Sequence, residues 1–91
     1  MGRSSRPRPE RLAPKLLRVR EALGISQAEM VNRLAQPKIH PAHVSAYERG
    51  EREPPLPVLL TYARLAGVCL DVLVDDELDL PAKLPAKPKH S

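Results

Sequence analysis

Phenylalanine and tryptophan are absent from this 91-residue chain, and only Tyr47 and Tyr62 supply larger aromatic rings. A core must therefore be assembled from Leu, Val, Ile, Ala and Met, a set that suits packed helices better than strands, which favour β-branched and aromatic side chains. Cys69 stands alone, so an internal disulfide and a thiolate metal cage are excluded and a reducing compartment is expected. No run of eighteen apolar residues occurs, and the opening Met1-Gly2-Arg3-Ser4-Ser5-Arg6 lacks the apolar stretch of a secretion signal. These absences predict a soluble, cytoplasmic protein without a membrane partner. At this length one module with a modest core is expected, with no separate catalytic or ligand-binding domain.

Charge is present, and it is unevenly spread. Residues 1–70 hold twelve Lys/Arg against six Asp/Glu, residues 71–79 hold five acids and no base, and residues 80–91 add three Lys. An excess of positive charge suits a polyanionic partner, because each neutralised phosphate releases condensed counterion. On charge alone a merely soluble surface explains it equally well.

The termini read differently from the middle. Residues 1–12 form a basic flexible arm with Arg3, Arg6 and Arg8 among Pro and Ser, and residues 81–91 a Pro/Lys-rich extended tail. Residues 13–80 form the folded domain. Within it, Gly24-Ile25 and Gly67-Val68 each follow an apolar periodic segment, as a glycine cap with a hydrophobic residue beyond it does. Ser26-Gln27-Ala28-Glu29 has the spacing of a capping box, and Pro14, Pro41 and Pro57 suit first turns, where a missing amide is harmless. The reading is all-α: five helices over about 14–23, 26–35, 41–49, 57–66 and 70–75, with no internal repeat.

Placed at 100° per residue, the third helix puts Val44, Tyr47 and Glu48 on one side and Ala42, Ser45, Ala46 and Arg49 on the other. A short helix with a small, polar and cationic outer face is shaped to enter a DNA major groove. An ordinary solvated face accounts for the same residues.

Three linked segments go further. Leu17 to Met30 (LRVREALGISQAEM), Val44 to Pro54 (VSAYERGEREP) and Leu59 to Val68 (LLTYARLAGV), in that order, resemble the phage-repressor and Cro-like (XRE) helix-turn-helix family over about residues 14–75. The resemblance implies a compact, lambda-repressor-like five-helix domain. It also implies a structural salt bridge between Arg20 and Glu48, DNA-base contacts from Ala42, His43, Ser45 and Ala46, and phosphate contacts from Ser26, Gln27, Arg49 and Arg52. The long turn before the third helix adds His40 to the expected base contacts and Lys38 to the expected phosphate contacts. Alanine cannot hydrogen-bond a base edge, so Ala42 and Ala46 would offer thymine methyls apolar contact and let the helix approach closely. Arg3, Arg6 and Arg8 would follow the minor groove.

Three positions depart from the family pattern. Ala35 to His40 (AQPKIH) makes a turn longer than the family's usual short, Gly-containing one, which leaves the register of the third helix in the groove open. Val31 replaces a small residue and is expected to widen a helix crossing. Cys69 takes a Ser/Thr cap position and is expected to be small and partly buried.

No constellation points to catalysis. His40 and His43, spaced i, i+3, lack a third ligand for a metal, and Asp75, Asp76, Glu77 and Asp79 have no base, nucleophile or Gly-rich loop beside them. Neither enzyme activity nor a cofactor is expected. The expected function is sequence-specific binding of double-stranded DNA by a transcriptional regulator. It would be a repressor, autoregulatory in the sharpest form of the reading, acting as a homodimer on a pseudo-palindromic operator. Leu70, Val72, Leu78 and Leu80 are the expected dimer surface. The alternative is an antitoxin or adaptor that engages a protein partner through the acidic 75–79 stretch and the C-terminal tail.

Overall fold

A computed structural model describes residues 9–84, and among these every regular element is a helix. The five are α1 (Leu12–Leu23), α2 (Gln27–Leu34), α3 (Pro41–Glu48), α4 (Leu56–Ala66) and α5 (Leu70–Val74). Their order and approximate bounds are those the periodicity predicts. α1 begins two residues before Pro14 because a proline is still tolerated in a first turn, where its amide would have no intrahelical acceptor.

α1 buries a stripe of Leu12, Lys15, Leu16, Val19 and Leu23. Gly24 ends it in the left-handed region at φ 72°, its N–H donating to the carbonyls of Arg20 and Glu21. Gly67 ends α4 in the same way at φ 76°, a conformation that carries no steric penalty without a Cβ. α2 starts on Ser26, whose Oγ accepts the Glu29 N–H at 3.0 Å. Only that half of the expected box forms. The Glu29 carboxylate turns along α2 to accept from Arg33 Nε at 2.9 Å and Asn32 Nδ2 at 3.3 Å, an i, i+4 ion pair in place of a cap contact.

α1 packs against α3, α4 and α5, while α2 packs against α3 and α4. Tyr62, Leu16, Met30, Leu34, Leu73, Val19, Val44 and Val58 are fully buried where they meet. Each such side chain contributes about 1.5–3 kcal/mol by leaving water. Val31 lies partly buried against this cluster.

The fold continues past the expected boundary at residue 80. Leu80 and Leu84 are both buried in the core, and Arg18 Nη2 donates to the carbonyls of Pro81 at 2.7 Å and Ala82 at 2.9 Å. The first residues of the tail are thus part of the domain: two leucines spaced four apart gain more by burial than an extended chain would in water. Cys69 corrects another expectation. It is exposed, because it occupies the N-cap of α5 with extended backbone and makes no side-chain cap bond.

Lys15 is buried at 5% exposure. Its Nζ donates to the carbonyls of Val72 at 2.8 Å, Asp75 at 3.1 Å and Leu78 at 2.7 Å, so the ammonium closes the C-terminal end of α5, where a cation is favoured. Burial first, then the neighbouring Arg11 charge, pull its pKa below the usual lysine value.

Candidate nucleic-acid interface

α3 is braced from behind by a polar network. Arg20 Nε donates to Glu48 Oε2 at 2.6 Å and Arg20 Nη2 to Glu48 Oε1 at 3.1 Å, with side chains only 17% and 5% exposed. Arg20 Nη1 donates to the Ile25 carbonyl at 2.9 Å, and Gln27 Nε2 to Glu48 Oε1 at 3.1 Å. One carboxylate at the end of α3 therefore gathers α1 and the start of α2. The planar guanidinium suits this bidentate grip, which fixes orientation as well as distance.

With that side held, the opposite side of α3 faces outward. Val44 and Tyr47 are buried, Ala42 and Arg49 are exposed, and Ser45, Ala46 and His43 are partly exposed. His40, the exposed N-cap residue, stacks its ring on His43 with centroids 5.4 Å apart and planes 21° apart. The His40 backbone N–H donates to His43 Nδ1 at 2.9 Å, which satisfies a donor otherwise stranded at the helix start.

Further along the same face, Arg49 is drawn into the protein's own contacts. Its Nη1 donates to Ser45 Oγ, and its Nη2 to Glu51 Oε1 at 2.8 Å. Both members of the Arg49–Glu51 pair are more than half exposed, so the pair is weak and exchangeable. Arg52 is exposed and borders a cleft of about 280 Å³ with Tyr47, Glu53 and Pro54. Lys38 is exposed in the 35–40 turn.

A helix-turn-helix family model matches residues 16–73, well over half of the chain. The protein belongs to the helix-turn-helix family. Within it the fold is of the phage-repressor kind: the crystal structure of the P22 c2 repressor protein in complex with synthetic operator 9T superposes with a TM-score of 0.63. Identity is 23%, and the match covers 71% of this chain and 94% of that one. No match was found among curated proteins.

Several expected site residues of this helix-turn-helix protein are brought together: Arg20 with Glu48, His40 with His43, and Ser45 with Arg49. Gln27 Nε2 gives one of its two N–H groups to Glu48, and the second remains beside the start of α2. Arg3, Arg6 and Arg8 lie outside the described residues.

The acidic stretch also has internal work. The Asp76 carboxylate accepts the backbone N–H groups of Glu10 at 2.8 Å and Arg11 at 3.0 Å, bonds that hold its pKa below the usual aspartate value. Arg11 pairs with Asp79 and donates to the Asp76 carbonyl at 2.6 Å. Asp75 Oδ1 accepts from the Glu77 amide at 2.9 Å. Negative charge is thereby set against the start of α1, where a helix favours it, and much of the surface expected for a protein partner is already engaged. Among the expected dimer residues, Leu80 is buried in the chain's own core and so cannot meet a second copy, while Leu70 and Val72 are partly exposed and Leu78 is 40% exposed.

The sequence reading missed Lys15, Glu51 and Leu56. Lys15 was detectable, since it falls on the stripe of Leu12, Leu16 and Val19 at helical spacing. Leu56, 57% exposed, had no such signal, because an apolar residue between two prolines reads equally as core or surface. Among the described residues no three His, Cys, Asp or Glu side chains gather to hold a metal, and no helix is long and apolar enough to cross a membrane.

Proposed function

We propose that the protein is a transcription regulator that binds specific double-stranded DNA as a homodimer, with α3 of each copy lying in a major groove. The observation that carries this reading is the two-sidedness of α3. Its inner side is fixed by the Arg20–Glu48–Gln27 network, and its outer side bears small or polar residues from Ala42 to Arg49. A groove requires a helix without bulk on that side, and the N-terminal residues of such a helix reach base edges. His40, Ala42, His43, Ser45 and Ala46 are the proposed base contacts. Ser26, Gln27, Lys38, Arg49 and Arg52 are the proposed phosphate contacts, with the start of α2 offering its amides. The helix-turn-helix family and the operator-bound P22 c2 repressor support the reading. Repression, and control of its own promoter, is the form we favour.

One helix buries too little surface for tight and selective binding, which is the energetic reason for two copies on a pseudo-palindromic site. The surface we assign to the second copy is a groove of about 650 Å³ lined by Pro54, Pro55, Leu56, Leu59, Leu70 and Val74. Leu56 stands 57% exposed at its edge, an apolar arrangement suited to a self-complementary contact.

The test is selection from a random duplex pool, followed by salt-titrated binding to the selected site. A defined site whose affinity falls steeply with salt is expected. In addition, Arg52→Ala is expected to weaken all sequences alike and to reduce the salt slope by about 1. No preference over random duplex at physiological salt would overturn the proposal.

A further inference from the structure

We infer that His43 is held in a single tautomer and is the residue that reads guanine in each half-site. The inference rests on the placement of α3 in the major groove proposed above. A neutral imidazole has one N–H donor and one acceptor nitrogen. A backbone N–H can only donate, so the 2.9 Å contact from the His40 amide makes Nδ1 of His43 the acceptor. The proton is then on Nε2, on the far side of the ring from the backbone it caps. His40 stacked against the ring, 5.4 Å between centroids, restrains its plane.

Two neighbours on the same face offer no competing donor, since Ala42 and Ala46 have no polar side-chain atom, and the Oγ of Ser45 is turned toward Arg49. His43 sits in the first turn of α3, partly exposed, where base edges come within reach of a groove-bound helix. An N–H that cannot become an acceptor selects for acceptors. In the major groove guanine presents two acceptors, N7 and O6, side by side with no intervening donor, whereas adenine pairs its single acceptor N7 with an N6 donor, thymine pairs its single acceptor O4 with a methyl group, and cytosine offers only a donor. The histidine thus acts as a donor of fixed polarity, and the cap it makes at the start of α3 is what fixes it.

Long-range proton–nitrogen correlation spectra of the uniformly ¹⁵N-labelled full chain, with His43 assigned by substitution, read the tautomer without DNA. An Nε2–H form alone is expected; an Nδ1–H form, or a mixture, overturns the inference even where DNA binding is intact. The second arm uses the selected duplex. Guanine is expected at one position per half-site, with that preference lost in His43→Ala. Replacing this guanine by 7-deazaguanine, which exchanges the N7 acceptor for C–H, is expected to weaken the unsubstituted protein about three- to tenfold and to leave His43→Ala unaffected. A different base at the His43-dependent position, or no response to 7-deazaguanine, overturns the assignment. Failure to select any sequence, with the Nε2–H form present, removes the groove placement instead, and the reading role with it.

Discussion

Arg20 and Glu48 are joined by two hydrogen bonds, 2.6 and 3.1 Å long, across 28 residues of chain. They tie the last turn of α1 to the last residue of α3. Because both side chains are largely buried, removing one strands the charge of the other. Glu48→Ala is expected to lower the unfolding free energy by about 3–5 kcal/mol, read by urea denaturation. A loss below about 1 kcal/mol would show instead an exchangeable surface pair.

Tyr62 lies beside this network with its ring fully buried, and its hydroxyl has no hydrogen-bond partner among the described residues. Burial, reinforced by the Glu48 charge, pushes the phenol above its ordinary pKa. An unpartnered buried hydroxyl costs about 1–3 kcal/mol. Tyr62→Phe is therefore expected to leave stability unchanged or to raise it by up to about 1 kcal/mol, measured in the same denaturation series. A marked loss would reveal a partner for the hydroxyl.

Asp76 makes stability depend on acid. Its native pKa is depressed below the ordinary aspartate value by the two backbone N–H bonds it accepts. A depressed carboxylate contributes fully above its unfolded pKa and loses that contribution as pH falls through the native one. The protein is thus expected to lose stability below about pH 4, and Asp76→Asn to lose less over that window. Parallel acid-unfolding curves for the two proteins would contradict this.

Glu51 competes with DNA for Arg49. The pair is exposed, so a phosphate can displace the carboxylate at small cost. Glu51→Gln frees Arg49 and removes a like charge from the approaching duplex, and is expected to tighten binding about two- to fivefold at low salt. Titration by fluorescence anisotropy reads the change, and weaker binding would mean that Glu51 positions Arg49 for contact.

The elements that were legible in the sequence are those with local causes. Gly24 and Gly67 close α1 and α4 because a left-handed cap follows from a single residue type, and Ser26 opens α2 through a bond three residues long. The inward and outward sides of α3 followed from its period. What was illegible depends on long-range partners. The destination of the Lys15 ammonium, the Asp76 contact with the start of α1, and the burial of Leu84 each join residues far apart in the chain. The direction of the Gln27 amide was likewise settled by Glu48, a residue on another helix. Ala35 is a third kind of case. It closes α2 at φ 54°, a left-handed conformation that alanine rarely adopts and that no local pattern announces.

Titration of the ¹⁵N-labelled protein with its selected duplex, followed by amide chemical shifts, locates the DNA-facing surface. The largest changes are expected from Pro41's neighbours His40 and Ala42 through Ala46, and at Ser26 and Gln27, with the α4–α5 groove silent at constant dimer concentration. Perturbations confined to α4 and α5, with α3 unmoved, would contradict the placement of α3 in the groove.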